Sequence, residues 1–351
     1  MNGTSWLLGI AALLLLAQVT ASAQELPPAQ AQLPEGAGLS AKYPGDKGIE
    51  ADPAVVFVEQ FDEASVEEMA KNWSEAKNKP GMALTDDVPA GSAGGTSLKM
   101  TAVRGKDEGA HLFKVFRPGH EQLYARFYVK FARDDGYLHH FIKLQGSINP
   151  PNYPEGGAGS RPTDSWTTGI EPTRSDKNKY PGTDYGPPGI WHFYSYWPEM
   201  RSYETPEGTG TRFFGNFFAP VKPCVVPRDE WVCVEFMVKM NDLDKPNGGQ
   251  AFWVNGTLTG NFMPGAVKGY WMRDTFRNDP TDQRSKPFEG IRWRTRPEVL
   301  VNKFWFLYYM SEDAFKNTEQ NAAGTANAQQ NSVWFDHVVV AKEYIGPLAK
   351  P

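Results

Sequence analysis

From Val55 onward the chain alternates short apolar runs with clusters of Gly, Pro, Asn and Asp. In residues 123–131, Leu123, Ala125, Phe127, Val129 and Phe131 share one parity, and Tyr124, Arg126, Tyr128 and Lys130 share the other. Successive side chains of a strand point to opposite faces, so this is a strand with a core face and a polar, aromatic face. Leu138, Ile142 and Leu144 alternate in the same way with His139, Phe141, Lys143 and Gln145. Trp191, Phe193 and Trp197 alternate with His192, Tyr194 and Tyr196, and Arg292, Arg294 and Arg296 repeat the device. Residues 231–240 and 250–255 flank Asn247-Gly248-Gly249, and Gly256 follows, which predicts a hairpin with a second turn at its end. Residues 303–310 (KFWFLYYM) and 332–341 (SVWFDHVVVA) read as two late strands. The best helical pattern is short, over 65–73, with Ser65 as N-cap and Glu68 three residues on. No long amphipathic helix and no internal repeat is found. Many short strands between turn signals predict an all-β fold, a two-sheet antiparallel β-sandwich. If the polar faces lie in one sheet, they line one concave surface, walled by the Gly/Pro-rich stretches 146–165 and 174–189.

The chain ends change this picture at one side. Residues 7–16 (LLGIAALLLL) precede Ala21-Ser22-Ala23. The run is too short to span a bilayer and reads as a secretory signal peptide over 1–23, so a secreted or periplasmic protein is expected. Residues 24–52, rich in Pro, Gln and Ala, are expected to be a linker, and 53–347 the β domain. No second apolar stretch is long enough for a membrane. The net charge of -5 argues against non-specific nucleic-acid binding. The 11 Trp, 14 Tyr and 21 Phe suit a β-rich core, and flat rings also match pyranose faces. In an oxidising compartment Cys224 and Cys233 are expected to pair as a disulfide. A monomer is expected.

Certain motifs carry a resemblance. A Lys-containing strand enters a Gly-rich loop (FIKLQG, then EGGAG), and a YxY strand follows (HFYSYW). After it come the WVCVEF…NGGQAFWVNG hairpin and a last WFDHVVVA strand. This order resembles the concanavalin A-like lectin/glucanase jelly rolls, and among them polysaccharide lyase family 14, which cleaves alginate and glucuronan. The likeness spans roughly residues 53–347. It implies a jelly roll that cleaves an anionic, uronate-containing polysaccharide by β-elimination, with no catalytic cofactor. It also implies Lys143, Tyr194 and Tyr196 as catalytic residues. Jelly rolls of this kind often hold a structural Ca2+ where the first and last strands meet, and Glu59, Asp62 and Asp336 are the oxygen ligands placed for it.

Such a lyase needs a cation on the sugar carboxylate, a base for the adjacent C–H, and an acid for the departing oxygen. Arg126 is a candidate for the carboxylate. Lys143, Tyr194 or His139 is a candidate base, and Tyr194 or Tyr196 a candidate acid. Tyr128, His192 and Glu171 are candidate substrate contacts, whereas His140 is expected in the core. Lys143→Ala is expected to stop turnover at little cost in stability. Two other readings share the fold. One is a non-catalytic carbohydrate-binding protein. The other is a glycoside hydrolase, for which Glu171 with Glu199 is the pair to test. No ExDxxE strand, GxSxG, HExxH or P-loop is present.

Overall fold

The computed structural model describes residues 32–174 and 184–349. The expected signal peptide and residues 24–31 of the expected linker lie outside the described residues. Among the described residues the strands form two sheets, one of eight strands and one of ten. The eight-stranded sheet runs Thr257–Phe262, Gly249–Val254, Val232–Lys239, Gln122–Phe131, Gln330–Ala341, Ser97–Val103, Met82–Thr85, and Val55–Glu59 also pairs with Gln330–Ala341. The centre of the ten-stranded sheet runs Asn216–Phe218, Ile190–Tyr196, Ser165–Thr173, Ile142–Ser147, Val301–Tyr309, Gly109–His120, with Glu75–Lys77 at its edge. Pairing is antiparallel throughout these strands. The exception in this sheet is Asn216–Phe218, which runs parallel to Thr275–Arg277.

The two inner faces meet in an aromatic core. Leu123, Ala125, Phe127, Val129 and Phe131 all lie in it, as their parity predicts. Phe127 packs 5.9 Å from Phe306 of the other sheet, and Phe306 packs 4.5 Å from Phe335. Buried Gln250 bridges the sheets: Thr168 donates to its Oε1 at 2.7 Å, and its Nε2 donates to Ser195 Oγ at 3.2 Å. The hairpin Val232–Lys239/Gly249–Val254 forms as predicted and turns again through Asn255-Gly256. Both turn residues have positive φ (49° and 78°), a conformation that Asn and Gly tolerate. Ser65 caps the short helix Val66–Met69, its hydroxyl accepting from Glu68 N at 3.2 Å. The helix Glu312–Asn321 is not predicted by the pattern. It buries only Ala314, Phe315 and Thr318, too few for a visible period.

The outer face of the eight-stranded sheet overturns several expectations. Residues expected as linker form three short 3-10 turns, Leu39–Lys42, Pro44–Asp46 and Ile49–Ala51. Leu39 and Ile49 join Tyr124, Trp253, Tyr344 and Ile345 in a second apolar cluster. Leu39 N and Ser40 N donate to the carbonyls of Tyr344 and Ile345 at 3.0 and 2.9 Å. Residues 33–52 therefore belong to the packed fold. Arg126, expected in the cleft, lies under this cover, wholly buried and paired with Asp46. Tyr128 is beside it, its hydroxyl accepting from Leu348 N at 2.9 Å. Neither faces the side chains of the ten-stranded sheet. Arg292, Arg294 and Arg296 lie outside the strands, paired with Glu199, Glu121 and Asp164.

Cys224 and Cys233 are free thiols. The Cys224 carbonyl accepts from Trp191 N, which holds it against the ten-stranded sheet, whereas Cys233 lies in the eight-stranded one. The expected calcium ligands do not converge either. Glu59 accepts from Phe61 N and Trp73 Nε1, both at 3.0 Å. Asp62 accepts from Gly95 N and Thr96 N, and Asp336 from His337 N. Among the described residues no group of three His, Cys, Asp or Glu is arranged to hold a metal ion. The expected set does not fit calcium.

Candidate active site

Three neighbouring strands build the outer face of the ten-stranded sheet at its centre. Their register places Lys143 opposite Gly169, Gly169 opposite Tyr194, and Tyr194 opposite Phe217. On the other flank Trp305 lies opposite Lys143. Strands lie about 4.8 Å apart, so Lys143 and Tyr194 stand roughly 10 Å apart along the backbone. Between them Gly169 offers no side chain. A Cβ there would come within 2.8 Å of Lys143 Cγ. The Lys143 stem therefore lies over Gly169, and the row reads lysine, glycine, phenol.

Adjacent rows support this one. Glu171 pairs with His192 in register, and Gln145 with Thr167, which pairs with Tyr196. Glu171 is buried and accepts from Phe141 N, while its Oε2 lies 3.2 Å from His140 Nδ1. His192 lies beneath, its Nδ1 2.8 Å from the Glu171 carbonyl and its ring stacked on Phe217. The Tyr194 and Tyr196 hydroxyls are 3.3 Å apart. The His140 ring lies 5.4 Å from that of Tyr194.

The parity expected before Ile142 does not hold. The strand begins at Ile142, and Phe141 turns into the core, where it meets Phe131 and Phe335. His140, expected in the core, therefore turns out beside Tyr194. His139 also reaches this face, stacked 5.1 Å from Tyr309. Glu199 pairs with Arg292 and does not line the pocket around Glu171, so the two carboxylates do not form the pair a glycoside hydrolase needs.

Burial and neighbouring charges set the protonation states. Burial opposes ionisation of Glu171, but His140, Lys143 and His192 outweigh it, and the carboxyl is lowered to about 2. Burial, then Lys143, lowers His140 below the ordinary histidine value, with Glu171 opposing. Burial also lowers the Lys143 ammonium, again against Glu171. The Tyr194 hydroxyl is pushed well above the ordinary tyrosine range by burial, then by Tyr196. At neutral pH the site holds an ionised Glu171, a neutral His140 and a protonated Tyr194. Such a set contains a proton acceptor and a proton donor side by side. The tautomer assigned to His140 donates Nδ1–H to Glu171 and leaves the Nε2 lone pair open.

The residues not anticipated are His140, Gly169 and Trp305. Trp305 lies 5.2 Å under the Lys143 amine. Its parity with Lys303 and Tyr309 was present in the sequence, but Phe304, Phe306 and Tyr308 on the core side are just as aromatic. Two pockets open on this face and share His140: one of 280 Å³ lined by Glu171, Tyr194 and Arg174, and one of 560 Å³ lined by Trp305 and Tyr309.

No protein-family model matches the sequence, and no curated protein is similar to it in sequence. Solved structures are similar in fold. The PL-14 alginate lyase from Aplysia kurodai has a TM-score of 0.52 at 11% identity, over 82% of this chain and 99% of that one. The alginate lyase Aly36B, as a double mutant with alginate tetrasaccharide, has a TM-score of 0.51 at 12% identity, over 83% and 97%. Alginate lyase vAL-1 from Chlorella virus has a TM-score of 0.50 at 12% identity, over 82% and 99%. The chain therefore has the two-sheet jelly-roll fold of these alginate lyases.

Proposed function

We propose that the protein is a polysaccharide lyase that cleaves a uronate-containing chain by β-elimination on this face. The observation that carries the reading is the row Lys143–Gly169–Tyr194 with His140 against Tyr194. Lys143 pairs with the sugar carboxylate and acidifies the adjacent C5–H. His140 Nε2 takes that proton. The electron pair forms a C4=C5 double bond as the C4–O bond breaks, and Tyr194 protonates the leaving oxygen. Tyr196, in contact with Tyr194, returns a proton to it from solvent. Glu171 and His192 are positioning residues that hold His140 and the strand beneath. No cofactor enters this scheme. The Aly36B mutant in complex with alginate tetrasaccharide has one lysine and one tyrosine replaced by alanine, the two residue types that flank Gly169 here. The apolar run 7–16 with Ala21-Ser22-Ala23 supports export to where such polymers occur.

The test is incubation with a panel of alginate and glucuronan, read by the ultraviolet absorbance of unsaturated uronate. Growth of absorbance on at least one polymer is expected. Retardation in polymer-containing gels with no absorbance on any of them would leave a carbohydrate-binding protein instead. Tyr194→Phe should lower kcat by about 10²–10⁴-fold, the range for loss of a general acid, while the variant is still retarded.

The pH profile has a defined sign. The base must be neutral, and His140 is held below the ordinary histidine value, so the acid limb of kcat/KM should lie below that value. Glu171→Gln removes the one neighbour that raises His140 and should move the limb further into acid. An acid limb at or above the ordinary histidine value would exclude His140 as the base.

A further inference from the structure

Lys303 is a buried cation that the scheme above does not use. It shares the outer parity of the strand Val301–Tyr309 with Trp305 and is only 1% exposed. Register places it opposite Gln145, Gln145 opposite Thr167, and Thr167 opposite Tyr196. This row lies two residues along the strands from the row Trp305–Lys143–Gly169–Tyr194, so the two rows are neighbours about 7 Å apart. The middle of the Gly/Pro-rich loop 148–164 crosses the Lys303 row. The Lys303 ammonium donates to Glu155 Oε2 at 2.8 Å and to Ser147 Oγ at 2.9 Å. Gln145 Nε2 donates to the Glu155 carbonyl at 3.4 Å. Two residues on, the backbone of Gly157 rests against Tyr196, where a Cβ would lie 3.3 Å from the ring Cδ1. Segment 155–157 thus connects Lys303 at one end of the row to Tyr196 at the other, and the Tyr196 hydroxyl is 3.3 Å from that of Tyr194.

The two ends of the loop are tied separately. Arg117 Nη2 donates to the Pro150 carbonyl at 2.7 Å, and Gly159 N to the Phe213 carbonyl at 2.8 Å. The middle is held through Glu155. An exposed ion pair would hold it weakly. Here the cation is buried, and breaking the pair would leave a desolvated ammonium, which makes the contact hard to open. We propose that Lys303 and Glu155 are a positioning pair: their contact keeps segment 155–157 on Tyr196 and so fixes the hydroxyl beside the Tyr194 acid. The pair acts through Tyr196 rather than on the sugar. This deepens the lyase reading and rests on it for the role of Tyr194.

The test uses Lys303→Met and, at the other end of the segment, Gly157→Ala with Gly156→Ala as its control. Methionine fills the place of the lysine without a charge, so melting should stay near that of the parent. A glutamyl endopeptidase should cut after Glu155 faster in Lys303→Met than in the parent, because the carboxylate and its segment are released. On the polymer that the parent cleaves, kcat should fall about tenfold with KM near that of the parent, the effect of a small misplacement of a reacting group. Gly157→Ala presses on the Tyr196 ring and should lower kcat in the same way. Gly156→Ala should not, since a Cβ there meets nothing within 4 Å. A purely structural pair would lower the melting temperature and leave kcat of the folded protein unchanged. Parent-like nicking or parent-like kcat in Lys303→Met overturns the proposal and leaves the lyase reading standing. Equal kcat in the two alanine variants does the same, as does a raised KM at constant kcat. A parent that forms no unsaturated product sinks the lyase reading and the positioning role with it.

Discussion

Lys143→Ala should lower turnover by about a thousandfold and should also destabilise the protein. In the proposed reaction Lys143 is the cation on the substrate carboxylate, and removal of a contact of that kind costs about 10²–10³-fold. The second departs from the expectation for an exposed strand lysine, because Lys143 is only 6% exposed and, after His140, helps to lower buried Glu171. In the parent the folded-state carboxyl is lowered from 4.5 to about 2. A lowered carboxyl adds stability above its unfolded value, and that stability is lost as pH falls through the folded value. Removing Lys143 raises the folded value. The variant should therefore melt below the parent at neutral pH, and the gap should close in strong acid. Lys143 also holds His140 down, so any residual activity should show an acid limb moved to higher pH. Melting curves across pH and residual rates decide this together. Parent-like turnover in the variant would remove Lys143 from the chemistry.

Arg126→Ala should cost about 3–5 kcal/mol of stability, the usual result of breaking a buried ion pair on one side. Arg126 and Asp46 are both wholly buried, and His337 Nδ1 is the other partner of Asp46 at 2.9 Å. Without Arg126 the Asp46 carboxylate remains desolvated beneath the turn Pro44–Asp46, and residues 33–52 lose their main polar anchor. The double variant with Asp46→Asn should be less destabilised than the sum of the single changes, since the second change removes the stranded charge. KM for polymer should be unchanged in any folded preparation. A variant with parent-like melting and a raised KM would return Arg126 to the substrate.

The alternation of residues 123–131 and 190–196 was enough to place their core faces, because side-chain direction in a strand has a fixed period of two. The same period made the outer set of 190–196 a shared face in advance: His192, Tyr194 and Tyr196 could only lie together. The Ser65 cap and the Asn255-Gly256 turn were equally local, since each depends on hydrogen bonds and φ values within a few residues.

Parity says nothing about which sheet a strand joins. Arg126 and Tyr194 each oppose an apolar set, yet they lie on opposite outer faces, because residues 122–131 pair with 232–239 and 330–341 while residues 190–196 pair with 165–173. Those pairings link residues up to some two hundred positions apart. Where a strand starts is equally non-local: Phe141 enters the core because Phe131 and Phe335 leave a place for it, and this turns His140 outward. The outer face of the eight-stranded sheet became a second core because residues 33–52 cover it, in a segment whose composition reads as a linker. The sequence determined the two faces of the strands it marked over 123–131 and 191–197, since side-chain direction there follows from local geometry. Only the tertiary structure decided which faces meet, because burial rewards contacts between segments that no local period connects.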